Sequence, residues 1–218
     1  MNISLSNNKR KISIKSGYHE FTRNFLGYSL NLGCGSDPTG NVRMDFAGEG
    51  TCANIVGNVE MTLPFKDNTF DLVIAHGVIE HLKNPYSFLD EVRRVLKPSG
   101  TLSLVTDNAS FFYIYFPGQR HGAGYVGLSP LDKHRVVFHD THVFEFLSAF
   151  GFLNIDIELC AYKDNLRKGK LTKMLEFLGY YVVNPLLGES FAQYFIPIIW
   201  ARATKSLPLD KVVDSEGH

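Results

Sequence analysis

The stretch Leu30-Asn31-Leu32-Gly33-Cys34-Gly35-Ser36-Asp37-Pro38 decides how the rest of the chain is read. An apolar strand end runs straight into two glycines and then into a turn closed by proline. Glycine admits positive φ and lets a ligand approach the backbone closely. In open α/β sheets, ligands bind beyond the carboxyl ends of the strands, near the point where strand order reverses. A strand followed by Gly33-Cys34-Gly35 is therefore a candidate ligand floor. Two glycines at such a turn are common, so the residues downstream carry much of the weight.

Asp45 comes after only nine residues, at the end of the short run Val42 to Phe46. Pro38 and Gly40 punctuate the gap, which predicts a tight loop with at most one helical turn. A dinucleotide-binding crossover instead places its acidic residue about 20 residues on, after a full helix. A carboxylate at a strand end can accept from both hydroxyls of a ribose, or it can simply serve a turn. A short strand is expected within Ala53 to Val56. Leu63-Pro64-Phe65 with Asp67-Asn68 reads as a turn before the strand Phe70 to Ala75. That strand is apolar after Asp71, as a strand covered on both faces should be. His76, Gly77 and then Ile79-Glu80-His81-Leu82 come next. Asn84-Pro85 opens a helix with a capping residue and a proline at the first helical position. Leu96-Lys97-Pro98-Ser99-Gly100 closes that helix, and a strand over Thr101 to Thr106 succeeds it.

In this order and spacing, the glycine turn, Asp45, the Leu63 to His76 stretch, Ile79-Glu80-His81-Leu82 and Leu96 to Leu102 resemble the class I S-adenosylmethionine-dependent methyltransferases. The kind is the small single-domain, type 11-like one, and the resemblance spans about residues 29–160. It implies an α/β Rossmann-like fold: a mostly parallel seven-stranded sheet, an antiparallel C-terminal strand pair, and helices on both faces. It implies S-adenosyl-L-methionine as cofactor, held by Asn31, Gly33, Cys34, Gly35, Asp45, Phe46, Asn58, Val59, Glu60 and His76. Asn58 stands where many members carry an aspartate that accepts from the adenine amino group. An asparagine oxygen can accept without charge, Glu60 can take over, or Asn58 can be a turn residue. The missing helix in the first crossover departs from the family. A sulfonium cofactor carries no phosphate and does not need a helix N-terminus there.

The expected organisation is an N-terminal arm and helix over 1–28 and a methyltransferase domain over 29–218. Residues 1–16 read as a loose polar arm, and Tyr18 to Tyr28 as a short helix packed on the sheet edge or a cofactor lid. Residues 109–138, rich in Phe, Tyr and Gly, read as a substrate lid or a packed insertion. Asp140 caps a second helix, ended by Gly151. Phe152 to Cys160 alternates as a half-exposed strand, partnered by Tyr194 to Thr204, where Pro197 demands an edge or a bulge. The insertion over about 163–193 opens with Lys163, Arg167, Lys168, Lys170 and Lys173 and turns apolar. Such a stretch can lie on a membrane or grip an anionic lipid-linked substrate, or pack on the domain with solvated lysines.

A sulfonium methyl needs its nucleophile held in line, and positioning alone is worth up to about 7–11 kcal/mol. A hydroxyl acceptor still needs a base: the resemblance places His134, His139 and His142 on a segment that faces the substrate and His76 and His81 on the cofactor side, and His134 is the first candidate base, His81 the second. Structural histidines are the alternative for each. His139 and His142 with Asp140 lack the helical register for a metal pair, so no metal is expected. The acceptor class is a small molecule, a sugar or a lipid-linked glycan. Zero formal net charge over 218 residues recruits no nucleic acid. Three scattered cysteines and no apolar leader predict a reducing, cytoplasmic protein. Two competing readings share these residues: a non-catalytic module that keeps the fold, and a nicotinamide-dependent oxidoreductase. Against the second, Pro38 replaces the third glycine and the acidic residue comes early.

Overall fold

The apolar runs Leu72 to Ala75 and Ile198 to Ala201 lie in inner strands. The computed structural model describes residues 10–13, 17–112, 134–161 and 170–207. Its strands are β1 Arg10–Ser13, β2 Ser29–Leu32, β3 Val42–Asp45, β4 Ile55–Val56, β5 Phe70–His76, β6 Leu96–Asp107, β7 Phe152–Cys160 and β8 Ile198–Lys205. They form one sheet in the order β1-β7-β8-β6-β5-β2-β3-β4. All neighbours are parallel except β8, which runs antiparallel between β6 and β7. Leu30, Leu32, Leu72, Val73 and Ile74 are fully buried, as strands covered on both faces require. The chain starts outward from β2 through β3 and β4, then returns to β5 on the other side. The β2/β5 junction is thus the switch point, and its carboxyl ends carry Gly33 to Gly35 and His76-Gly77.

α2 (Pro85–Val95) and α3 (Asp140–Ala149) pack against the sheet. Asn84 accepts from Ser87 N at 3.2 Å, with Pro85 at the first helical position, and Phe88, Leu89, Val92 and Val95 are buried. No helix interrupts residues 33–41, as the short spacing requires.

Several expectations need correction. The sheet has eight strands rather than seven, because part of the expected loose arm is β1, which pairs with β7 and covers its edge. Pro197 lies outside β8, which starts at Ile198 and is internal rather than an edge strand. The Pro197 carbonyl instead accepts from Asn108 N at 2.7 Å. β6 begins at Leu96, before Thr101, and a register shift between Phe70 and Leu72 accommodates the added residues. In β7, Asn154 takes φ 50° and the pairing shifts between Leu153 and Asp156. That bulge reverses the expected alternation at the strand's start: Phe152 is buried and Leu153 exposed. Asp140 is itself the first residue of α3, is buried, and His139 precedes it in extended conformation.

α1 (Tyr18–Arg23) packs on the sheet through Tyr18, whose ring meets His76 and Trp200. The two ends of the 109–138 segment are tied together, since Asn108 bridges Phe138 and Ala109 N donates to the Phe138 carbonyl at 2.9 Å. Residues 113–133, the bulk of the expected lid, lie outside the described residues, as do Lys163, Arg167 and Lys168. After them come α4 (Lys170–Leu178), a π-helical stretch Gly179–Val183, α5 (Asn184–Leu187) and α6 (Glu189–Ala192).

Candidate active site

Gly33 has φ +63°, and a Cβ there would stand 2.5 Å from Val78 Cγ2, so no side chain fits. Gly35 has φ +49°, and a Cβ there would meet nothing within 4 Å. The turn is therefore closed beneath Gly33 and open above Gly35. Gly33 N donates to the Met44 carbonyl at 2.8 Å, which stitches the turn to β3. Gly35 N donates to Asp45 Oδ2 at 2.8 Å. The Asp45 carboxylate thus lies against the glycine turn, and each of its oxygens keeps lone pairs for a ligand. Phe46, next to it, is 72% exposed and offers an apolar surface. Cys34 is buried, and burial pushes its thiol up, with Asp45 adding to the effect.

The other expected cofactor residues are placed less uniformly. Asn31 is buried and spends its amide on the Thr39 carbonyl at 3.1 Å, which braces the crossover loop. Asn58 is exposed, and its Oδ1 accepts from Glu60 N at 2.9 Å, the turn arrangement. Val59 packs against the core, and Glu60 Oε1 accepts from Lys83 N at 3.2 Å. His76 Nε2 pairs with Ser103 Oγ at 3.0 Å, and Trp200 Nε1 donates to the same oxygen at 3.1 Å. His76 is thereby fixed at the end of β5, edge-on to Tyr18 and His19 of α1. Asp37 faces this corner. Burial works to raise its carboxyl, but Thr39, bonding through N–H and hydroxyl, with His19 and His76 beyond, holds it below its usual value.

A second cluster forms where β5 and β6 end. Glu80 and His81 share the 3-10 turn Ile79–His81. The Glu80 carbonyl accepts from Arg135 N at 2.6 Å and Val136 N at 3.2 Å, which brings in the segment holding His134. The His81 and His134 rings meet edge to face at 4.6 Å. His134 Nδ1 lies 3.6 Å from Asp107 Oδ2. Glu80 is 4% exposed, and Thr106 Oγ1 donates to its Oε2 at 3.2 Å. Burial pushes the Glu80 carboxyl up to about 8, and the nearby Asp107 adds to this. The structure thus brings His81 and His134 together, from residues 53 positions apart in sequence. His139 does not join them: its Nδ1 pairs with Ser110 Oγ at 2.8 Å, and its ring contacts His142.

Sequence reasoning gave no site role to Glu80, Asp107, Asp37 or His19, although Glu80 and Asp37 lie in the stretches that carry the resemblance. Glu80 carried one signal, an acidic residue in an otherwise apolar turn next to a candidate histidine. Asp107 carried only its place at a strand end.

Comparisons with known proteins bear on this arrangement. Residues 30–104 match a family described as a methyltransferase domain. This stretch holds both the glycine turn and the Glu80-His81 turn. The match and the shared fold support a class I S-adenosylmethionine-dependent methyltransferase. The cofactor of this domain class is S-adenosylmethionine. An uncharacterized protein of Methanocaldococcus jannaschii is 40% identical over 89 residues, which are 41% of this chain and 33% of that one. A ubiquinone/menaquinone biosynthesis C-methyltransferase of a Ruegeria species is 43% identical over 54 residues, 25% of this chain and 22% of its own. A SAM-dependent methyltransferase of Thermotoga maritima shares the fold with TM-score 0.58 at 16% identity, with 88% of each chain covered. The chain spans less than half the length of the curated relatives it matches.

Proposed function

We propose that this protein transfers a methyl group from S-adenosylmethionine to an acceptor that enters over the Glu80, His81 and His134 cluster. The observation that carries this reading is the Asp45 carboxylate bonded to Gly35 N–H at 2.8 Å, beside a turn with open space above it. A charged acceptor next to bare backbone suits the hydroxyls of a nucleoside. Gly33, Gly35, Asp45 and Phe46 would hold the cofactor, with His76 at its methionine end. When bound, the cofactor supplies an electrophilic methyl on a sulfonium.

The protein's own residues hold the acceptor and handle its proton. His134 is the base of this reading, with Asp107 at 3.6 Å orienting its ring and stabilising the charged form. His81 is second, packed against it. Asn31 braces the loop rather than touching the ligand, and Asn58 contributes to the adenine end only through the lone pair its turn leaves over.

The acceptor is a small molecule, sugar or lipid-linked glycan, and one observation favours the lipid-linked class. Leu171, Met174, Phe177, Tyr181, Leu186 and Leu187 along α4 to α5 are all exposed, while Leu175, Glu176 and Gly179 turn inward. Lys173 lies on the exposed side too, and the inward Glu176 is the only acidic residue of 170–187. An apolar, cationic face of this kind suits an anionic lipid surface. No helix among the described residues is long and apolar enough to cross a membrane.

The test has two parts. Calorimetry with S-adenosylhomocysteine should give one site per chain. Incubation with methyl-labelled cofactor and cell extract should then label a product, which partitions with lipid on this reading. Binding of NAD without any response to S-adenosylhomocysteine would overturn the assignment. Cofactor binding with no labelled product from any fraction would favour a non-catalytic module.

A further inference from the structure

We infer that Glu80, His81 and His134 form a site for one divalent first-row transition-metal ion. One carboxylate oxygen and one ring nitrogen from each histidine all lie within 4.8 Å of one another. Donors bound at about 2.0–2.2 Å sit up to about 4 Å apart across a metal ion. A movement of about an ångström therefore closes the set around a cation.

The backbone already holds the ligands in place. Glu80 and His81 are consecutive in one tight turn, and the Glu80 carbonyl anchors the strand of residues that carries His134. His81 Nδ1 is buried and, among the described residues, has no hydrogen-bond partner. A buried polar nitrogen without a partner calls for an explanation, and a bound ion is one. Behind His134 stands Asp107, the carboxylate-behind-histidine arrangement that fixes the ring and raises ligand basicity at metal sites. A cation would also offset the negative charge that the Glu80 and Asp107 carboxyl groups bring to this corner. Arg135, whose Nε donates to the His81 carbonyl at 3.1 Å, keeps its own charge at the exposed surface.

The donor set chooses the ion. Calcium and magnesium take oxygen ligands, whereas two imidazoles and one carboxylate suit Zn²⁺, Fe²⁺, Co²⁺ or Mn²⁺. Three protein ligands leave at least one position open for an outside oxygen. This consequence rests on the methyltransferase reading: the outside oxygen is the acceptor's hydroxyl, and the acceptor is an oxygen nucleophile. In the metal-bound form His134 is a ligand rather than the base. The cation lowers the hydroxyl's pKa, and its proton passes to water.

The test uses the full chain, stripped of metal with a chelator and titrated with Co²⁺ and Zn²⁺. Uptake is followed by calorimetry and by the visible d–d bands of cobalt, and each sample is also titrated with S-adenosylhomocysteine. The expected result is one Co²⁺ per chain, lost in His81→Asn and His134→Asn, and weakened about 10–100-fold in Asp107→Asn. Circular dichroism and the S-adenosylhomocysteine titration check that each variant is folded. Asp107→Asn leaves the ligands themselves intact and keeps the test decisive if the histidine variants fold poorly. No stoichiometric uptake, or wild-type affinity in Asp107→Asn and in whichever histidine variants fold, overturns the inference. If S-adenosylhomocysteine binds and Co²⁺ does not, only the metal site falls. If the wild-type chain does not bind S-adenosylhomocysteine, the methyltransferase reading falls, whatever the metal does.

Discussion

Gly33 and Gly35 look interchangeable in the sequence, yet their surroundings differ. At Gly33 a methyl group would strike Val78, and the φ of +63° is costly for any other residue. Gly33→Ala should lose about 1–3 kcal/mol of stability, read from urea unfolding, along with cofactor binding. At Gly35 the added Cβ meets open space. Gly35→Ala should cost less stability than Gly33→Ala while still weakening S-adenosylhomocysteine in calorimetry, because its methyl occupies the ligand's side. Equal loss of stability in the two variants would contradict the open cleft. Asp45→Asn removes the charge from the ribose bond and should weaken S-adenosylhomocysteine by about 10- to 150-fold, the span of a charged hydrogen bond. An unchanged affinity would remove Asp45 from the cofactor site.

Two features of α2 set how firmly the wall behind the site stands. The Asn84 cap is worth about 0.5–2 kcal/mol, so Asn84→Ala should lower the unfolding free energy by that amount, seen as a lower urea midpoint with little change in slope. Further along, Arg94 donates to Glu91, Asp67 and the carbonyls of Leu63 and Phe65, which locks the turn before β5. The Arg94 bonds hold the Glu91 carboxyl below its usual value of 4.5, although burial pushes the other way. A carboxyl whose folded-state pKa is lowered adds stability above its unfolded value and loses it as pH falls through the folded one. Glu91→Gln should therefore be less stable than wild type at neutral pH and converge with it in acid, once the pH has fallen through the lowered folded-state value. A stability gap that stays constant between those conditions would show that the pair contributes through packing alone.

The molecule as a whole has no net charge, so any attraction to a membrane must come from one face. Vesicles containing phosphatidylglycerol should retain the full chain, and pure phosphatidylcholine vesicles should retain less. Phe177→Ser and Leu186→Ser should each reduce retention by about tenfold or more, the value of burying one large apolar side chain. Retention unchanged in both variants, or a dimer that buries these residues in light scattering, would turn this face over to another use.

The parallel sheet, the two glycines facing Asp45 and the helix opened by Asn84-Pro85 were all legible in the chain. Each depends on neighbours a few residues apart, where φ preference, capping and apolar period act directly. The β1 edge strand was not legible, since four residues gain their partner from a segment about 150 positions later. The bulge at Asn154, which exposes Leu153, and the internal place of β8 were hidden for the same reason: register is settled between strands, not within one. Sequence alone named His81 and His134 as separate candidates. Only the folded chain set Asp107 beside His134 and turned Glu80 inward, because a buried carboxyl group is tolerated where facing side chains supply a partner, and here that partner, Thr106, comes from another element.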